Sequence, residues 1–379
     1  MAEIPGLDFI HPLKLFDIAK KEKRLLYTSA PMVRYSKLAF RQTVYAYGTD
    51  LCWTPMILAK EFNRNHFARD SDFTISTDGP QPPTIVQFGA NVPQELARAS
   101  SLVAPFCSGV DLNCGCPQSW ACSETLGAAL MEKRELVRDM VVETREQLRR
   151  DGWAVNKEKD IDSRKGRSVS VKIRVHKDLR KTMDFITTVL GPDQDRHIDW
   201  LTIHPRTRST PSSTPINLEA LELLTSTFGN RVPILLSGDV FALGTLPFTT
   251  PLLTPTPTFT TTTTPTTPTI PHLSGLMTAR ALLTNPALYA GYDACPWSAV
   301  ETFLANVARC PLPYKLVQHH VGEMCGPGMG ADKSALLTKA QRAGLMGCGN
   351  MVDLVDFLEG VRVTVGEGGV RRDGRRDGA

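Results

Sequence analysis

Asn113-Cys114-Gly115-Cys116-Pro117 closes a short apolar run, Gly109-Val110-Asp111-Leu112, and polar residues follow at once. That arrangement puts thiols at the C-terminal end of a buried strand, the end where parallel α/β folds do their chemistry. Cys116 there is either a working acid or a packed thiol. Cys107 and Cys122 are nearby, but a Cys-x-Cys pair without a second Cys or His pair at ligand spacing is a poor zinc signature. A buried thiol is common, yet the amide of Asn113 and the flexible backbone of Gly115 suit a site better than a core. Lys172 lies inside Val169-Ser170-Val171-Lys172-Ile173-Arg174-Val175. An inward lysine is costly to bury unless it meets an anion. Period-two alternation puts Arg174 on the same face, so both face the site or both lie outside between helices. His204 ends Trp200-Leu201-Thr202-Ile203-His204 and precedes Pro205-Arg206-Thr207-Arg208; a strand-end histidine is a functional group or a satisfied polar cap. Gly238 and the Gly275–Arg280 turn sit where two late loops could build a phosphate site from backbone amides.

The elements that must carry these groups are eight strand-like runs: Leu25–Ala30, Thr49–Trp53, Thr84–Gly89, Gly109–Asn113, Ser168–Val175, Trp200–His204, Pro233–Ser237 and Ser274–Met277. Several are continuously apolar, as expected of strands covered on both sides. Amphipathic stretches separate most of them, among them Ser36–Tyr47, Glu135–Arg150, Thr182–Leu190 and Leu218–Phe228. Eight strand-helix units in a row predict a (β/α)8 TIM barrel. An open doubly wound sheet would carry a Gly-rich turn after its first strand, and Ser29-Ala30-Pro31-Met32 is not one. Nearly every strand ends in a residue with chemical potential, and a barrel brings those ends to one rim.

The 379 residues suffice for one large α/β domain and a smaller one, and 42% hydrophobic residues exclude a disordered chain. A net charge of +4 permits an RNA partner without demanding one. Nine scattered cysteines and no signal or membrane-length apolar run predict a soluble, monomeric protein of a reducing compartment, cytoplasm or nucleus.

One unit is broken. From Thr245 to Pro271, 14 threonines and 7 prolines occupy the place of the seventh helix. Proline at that density removes amide donors and clashes with preceding carbonyls, so an extended, solvated segment replaces helix seven. It is an insertion that displaced a helix, or translated non-coding sequence; the low complexity and abrupt edges fit the second better. After Pro296 only helical patterns remain, with Tyr314–Met324, Lys333–Gly344 and Met351–Glu359 delimited and the last stopped by Gly360. The expected division is an N-terminal extension at 1–24, the barrel at 25–294, a helical domain at 295–362 and a disordered tail from 363. Asn156–Arg167 reads as a basic surface loop.

Taken together these residues resemble the tRNA-dihydrouridine synthases, flavin-dependent barrels that reduce uridine in tRNA. The resemblance rests on Ala30-Pro31-Met32, Gln87-Phe88-Gly89-Ala90, Asp111–Pro117 with Gly127-Ala128-Ala129-Leu130, Val171-Lys172-Ile173-Arg174, His204-x-Arg206-Thr207, and Gly275-Leu276-Met277-x-Ala279-Arg280 with Asn285-Pro286, in that order. The Asn-Cys-Gly-Cys-Pro-Gln form and Gln318-His319-His320 are most similar to the eukaryotic branch associated with positions 20a and 20b of the tRNA D loop. The resemblance implies FMN as cofactor and NADPH (or NADH) as reductant. It implies that Ala30, Pro31 and Met32 line the FMN, that Gln87 hydrogen-bonds its ring, that Asn113 is among the residues binding it, and that Lys172 and His204 contact its ring or the target base. Ser237, Gly238, Asp239, Ala279 and Arg280 would hold its phosphate. Cys116 would protonate uracil C5 after hydride reaches C6, and Arg174, Arg206, Arg208 and the helical domain would hold tRNA. Ser237, Pro205 and Ala281 depart from the family's usual Asn, Gly and Gly. Two other readings are a small-molecule flavin barrel and a tRNA-binding protein that lost catalysis through the broken unit.

Overall fold

The computed structural model describes residues 9–252 and 267–366. Eight parallel strands form its centre: β1 (Leu26–Ser29), β2 (Leu51–Trp53), β3 (Thr84–Gly89), β4 (Gly109–Cys114), β5 (Ser168–Arg174), β6 (Leu201–His204), β7 (Ile234–Ser237) and β8 (Leu273–Thr278). Each pairs with the next, and β8 pairs back to β1 with Leu26 opposite Gly275, so the sheet closes. The expected barrel is therefore present, and closure excludes the open sheet. A two-residue strand, Ile57–Leu58, lies against the end of β3.

Alternation along each strand sorts its side chains. The outward set, including Val86, Phe88, Val110, Leu112, Val169, Val171, Ile203 and Leu236, packs with Val137, Met140, Phe185 and Leu224 of the surrounding helices. The inward set divides by height. Leu26, Leu51, Trp53, Ile85, Trp200, Leu235 and Met277 form an apolar floor. Helix Pro12–Lys21, in the stretch expected as an extension, adds Leu13, Phe16 and Ala19 to that floor. Its start is built for the role: His11 accepts from Leu13 N at 3.2 Å and Pro12 needs no amide partner. Phe16 lies 5.9 Å from Trp200, and Trp200 lies 6.1 Å from Trp53 in an edge-to-face pair. With the N-terminal end filled by aromatics, the inward polar side chains are left at the C-terminal end.

Several sequence expectations need correction. The Thr/Pro run lies partly outside the described residues. Its described ends are not wholly solvated: Thr245, Pro247, Pro251, Thr267 and Thr269 are exposed, but Phe248 is 2% and Ile270 0% exposed, and both join the outer core. Thr249 pairs in parallel with Thr269, and Ile270 N donates to Thr249 O at 2.8 Å. Among the described residues no α-helix lies between β7 and β8. Arg167 is 3% exposed rather than part of a surface loop. It donates to the Ala104, Arg164 and Gly166 carbonyls and lies over the Trp153 ring.

The C-terminal region is helical, as expected, with Trp297–Arg309, Tyr314–Met324, Lys339–Gly347 and Met351–Gly366. The third begins six residues later than expected because Thr338 and Gln341 form a reciprocal capping box. Gly360 does not stop the last helix. A glycine inside a helix costs about 1 kcal/mol, and Val361, one residue on, still packs on the core that holds Leu354 and Leu358. The helix therefore enters the expected tail, whose remainder lies outside the described residues. This region shares its core with Phe40, Val44, Leu282 and Leu288 of the barrel. Among the described residues no helix is long and apolar enough to cross a membrane.

Candidate active site

At the C-terminal mouth, strand register decides which inward groups meet. Gln87 pairs with Asp111 across β3 and β4, Asn113 with Lys172 across β4 and β5, and Arg174 with His204 across β5 and β6. Gln87 is 0% exposed and donates through Nε2 to Asp111 Oδ2 at 2.7 Å. Its Oε1 accepts from Asn113 Nδ2 at 2.8 Å. Asn113 Oδ1 in turn accepts from the backbone N–H groups of Gly115 and Cys116 at 2.9 and 2.8 Å. The amide of Asn113 thus folds the chain that carries the thiol.

The two thiols of the motif part company. Cys114 ends β4 pointing outward into the core, and burial holds it un-ionised. Cys116 is partly exposed on the loop beyond. Its carbonyl accepts from Ala128 N at 2.8 Å. Gly127 has φ +58°, and a Cβ on it would lie 2.5 Å from Cys116 O, so only glycine fits. Burial pushes the Cys116 thiol upward against the opposing pull of the Gln118 N–H, Arg174 and Lys172. Its form at neutral pH is the protonated thiol.

Lys172 and Arg174 both face the mouth, which settles the alternation question in favour of the inward reading. Among the described residues no hydrogen bond or ion pair reaches Lys172 Nζ. Burial, then the Arg174 charge, lowers Lys172 to about 8. Arg174 donates to Gly115 O at 2.8 Å and to Thr207 O at 2.9 Å, bracing the Cys116 loop against the loop after β6. His204 is lowered to about 2 by burial first and then by Lys172, Arg174, Arg206 and Arg280, so it is neutral. A guanidinium only donates, and Arg206 Nη1 lies 3.0 Å from His204 Nε2. The His204 proton is therefore on Nδ1.

The loops after β7 and β8 complete the rim. Gly238 has φ +114° and lies so close to the His204 ring that a Cβ would sit 3.0 Å from it. Asp239, also at positive φ, spends its carboxylate on Arg206 at 2.5 Å and on Ile216 N at 2.8 Å. Arg206 is 4% exposed and also donates to the Thr214 and Ser212 carbonyls, so it is not available at the surface. Arg208 and Arg280 are exposed. After β1, Ser36 donates to Ala30 O at 2.8 Å and accepts from Met32 N at 3.0 Å, fixing the Ala30-Pro31-Met32 turn. All the sequence-derived candidates therefore belong to one rim, with Gln87 and Arg206 beneath its surface. Asp111, Ser170 and Ser36 were not singled out. Asp111 and Ser170 carry a readable signal, since each lies two residues before a candidate on the same strand face.

A family model described as dihydrouridine synthase (Dus) matches residues 28–250. A Schizosaccharomyces pombe protein named tRNA-dihydrouridine(20a/20b) synthase (NAD(P)+) is 37% identical over 317 residues, 83% of each chain. A Saccharomyces cerevisiae protein of the same name is 36% identical over 341 residues, 89% of this chain and 80% of that one. A human tRNA-dihydrouridine(20a/20b) synthase (NAD(P)+)-like protein is 34% identical over 310 residues, 82% of this chain and 84% of its own length. A closed parallel barrel whose polar residues gather at one mouth, matched over this much of its length, belongs to the dihydrouridine synthase family.

Proposed function

We propose that this chain reduces uridine to 5,6-dihydrouridine in the D loop of tRNA, using FMN held at the barrel mouth and NADPH or NADH as reductant. The observation that carries the reading is Lys172: a half-buried ammonium with no anionic partner in hydrogen-bond contact, in register with Asn113 and close to Cys116. The nearby carboxylates are already engaged, Asp111 by Gln87 and Ser170, and Asp239 by Arg206 and Ile216 N. A cationic mouth with its own anions spent suits an anionic ligand.

The residues fit FMN. Ala30, Pro31 and Met32 would line it, Asn113, Lys172 and His204 would face its ring with Gln87 behind Asn113, its amide held by Asp111 and Asn113, and the chain at Ser237, Gly238, Asp239, Ala279 and Arg280 would take its phosphate. Since the Asp239 carboxylate is occupied, its contribution there is the backbone N–H. FMN held there would accept hydride from the reduced nicotinamide and supply it to uracil C6. Cys116 holds the complementary proton at Sγ. Its raised thiol is protonated at neutral pH, as a general acid requires. Once it has given that proton to C5, Lys172 and Arg174 favour the resulting thiolate, and partial exposure allows reprotonation from solvent. His204, neutral with its proton on Nδ1, is a hydrogen-bond donor rather than a charge.

A base within folded RNA must leave its stack to reach this mouth. Arg208 is the exposed cation we assign to the RNA backbone, with Arg174 and Arg206 shaping the rim beneath it. We assign residues 295–362 to tRNA binding. In support, Tyr35, from the loop after β1, lies against His319 and His320 of helix Tyr314–Met324, so the helices flank the mouth. The test is a flavin absorbance spectrum of the purified protein together with dihydrouridine mapping in tRNA from cells lacking it. Bound or bindable FMN and a lost D-loop dihydrouridine are expected. A protein that cannot bind FMN but does bind tRNA would overturn the catalytic reading in favour of a binding protein.

A further inference from the structure

We infer that Asp111, a carboxylate 1% exposed, is a positioning residue that sets the polarity of a hydrogen-bond relay holding the Cys116 loop. The inference rests on the reading of Cys116 as the proton donor and concerns how the loop that carries it is held.

The direction of the relay can be read from its backbone end. The N–H groups of Gly115 and Cys116 can only donate, so the atom of Asn113 facing them at 2.9 and 2.8 Å must be Oδ1. Asn113 therefore turns Nδ2 toward Gln87, which must answer with Oε1, at 2.8 Å. Gln87 is left presenting Nε2 to residue 111 and needs an acceptor there. Asp111 Oδ2 is that acceptor at 2.7 Å, while Oδ1 is held by the Ser170 hydroxyl at 2.6 Å. The Gln87 main chain is tied separately, its N–H donating to Thr54 Oγ1 at 3.1 Å. Each amide is thus oriented by its neighbour, and the one member that can only accept when ionised stands at the far end. All three side chains are buried, so a wrong orientation cannot be repaired by water.

This polarity makes an isosteric change informative. In Asp111→Leu, close in volume, Gln87 Nε2 loses its acceptor; if Gln87 turns over, Asn113 must turn in response and its Nδ2 confronts the two backbone N–H groups. Asp111→Asn alone is tolerated, because its oxygen can take the Gln87 bond while its Nδ2 donates to the Ser170 hydroxyl, which accepts as well as donates. In Asn113→Asp the carboxylate accepts from the loop but meets Gln87 Oε1; turning Gln87 sets its oxygen against Asp111. The double variant Asp111→Asn/Asn113→Asp reverses the relay with every donor matched to an acceptor.

The experiment follows hydrogen-deuterium exchange of the Gly115–Cys116 amides and the rate of Cys116 alkylation by iodoacetamide, resolved by peptide mapping, in flavin-free protein. Asp111→Leu and Asn113→Asp should each raise both rates by roughly 10- to 100-fold, the scale of unsatisfied buried donors, while Asp111→Asn stays near the wild type. The double variant should return to within about threefold of the wild type, a strong coupling in the mutant cycle. Wild-type rates in Asp111→Leu or in Asn113→Asp, or a double variant as exposed as Asn113→Asp alone, would overturn the inference. If a single variant does not fold, the double variant decides: folded with a protected loop supports the relay, unfolded overturns it. Neither flavin nor tRNA is needed, so a wild-type protein that forms no dihydrouridine would refute the proposed activity and leave the relay standing.

Discussion

Gly127→Ala is a one-methyl perturbation of the site whose size can be worked out. Gly127 sits at φ +58°, and the added Cβ would lie 2.5 Å from Cys116 O and 2.7 Å from Cys116 Cβ. Ordinary contact begins near 3.4 Å, so the two segments must part by about 0.9 Å. Both atoms belong to the Cys116 residue itself, so no flexible side-chain tip can yield instead. The left-handed backbone costs an alanine about 1–2 kcal/mol and relief of the overlap about 1–3 kcal/mol. A domain of typical stability, about 5–15 kcal/mol, remains folded under that load. The reacting thiol, however, moves by close to an ångström, and a misplacement of that size costs roughly 100-fold in rate. The expected result is a folded protein that binds FMN with near wild-type affinity and forms dihydrouridine about 100-fold more slowly in single-turnover assays on tRNA lacking the modification. Circular dichroism and flavin titration serve as controls. A wild-type rate would show that the Cys116 carbonyl and the Ala128 amide do not position the thiol.

Cys116→Ala should retain FMN and abolish dihydrouridine formation by mass spectrometry of tRNA; unchanged levels would end the proposed role for this thiol. Lys172, at about 8, should be held charged by a bound anion, so FMN binding takes up a proton above that value and weakens as pH rises through it. Fluorescence titration from pH 6.5 to 9.5 should show the loss in wild type and a flat, weaker profile in Lys172→Met. His320 is packed among Phe40, Phe303 and Tyr35 and lowered by burial to about 3, below its unfolded 6.5. Its neutral form is the folded one, so stability is fully present above pH 6.5 and falls toward pH 3, by at most about 1.4 kcal/mol per pH unit. In His320→Phe the pH dependence of urea unfolding in that window should shrink; an identical slope would refute the assignment. Arg145, buried against Asp199 and the Val155 and His197 carbonyls, should cost about 3–5 kcal/mol when replaced by Met, read as a lowered unfolding midpoint.

The barrel was legible because each strand satisfies a local rule. Strands such as Gly109–Cys114 and Ser168–Arg174 are apolar on their outward face and change character at their C-terminal ends, and that pattern needs no knowledge of neighbours. The Cys114–Cys116 distinction was legible in outline for the same reason, since one residue ends the strand and the other lies past it. Less was visible wherever a residue's fate depends on a distant segment. Arg167 reads as part of a basic loop until Trp153 and the Ala104 carbonyl enclose it. Gly360 reads as a stop until Val361 finds a core to pack on. Arg206 reads as a surface cation until Asp239, 33 positions away, captures it.

The sequence by itself determined which residues could serve: an alternation of period two that turns Gln87, Asp111, Asn113, Ser170, Lys172 and His204 inward, and glycines where the backbone turns left-handed or another segment passes close. Only the tertiary structure decided what each of them does, because partners in a closed barrel are chosen by strand register. Register sets Asp111 beside Gln87 and Asn113 beside Lys172. It leaves the lysine half-buried with no anion in hydrogen-bond contact while the carboxylate is spent on orienting the amides that hold Cys116. Composition and spacing supply donors and acceptors; whether a buried one is satisfied, frustrated or left waiting for a ligand depends on what lies a few ångströms across the sheet.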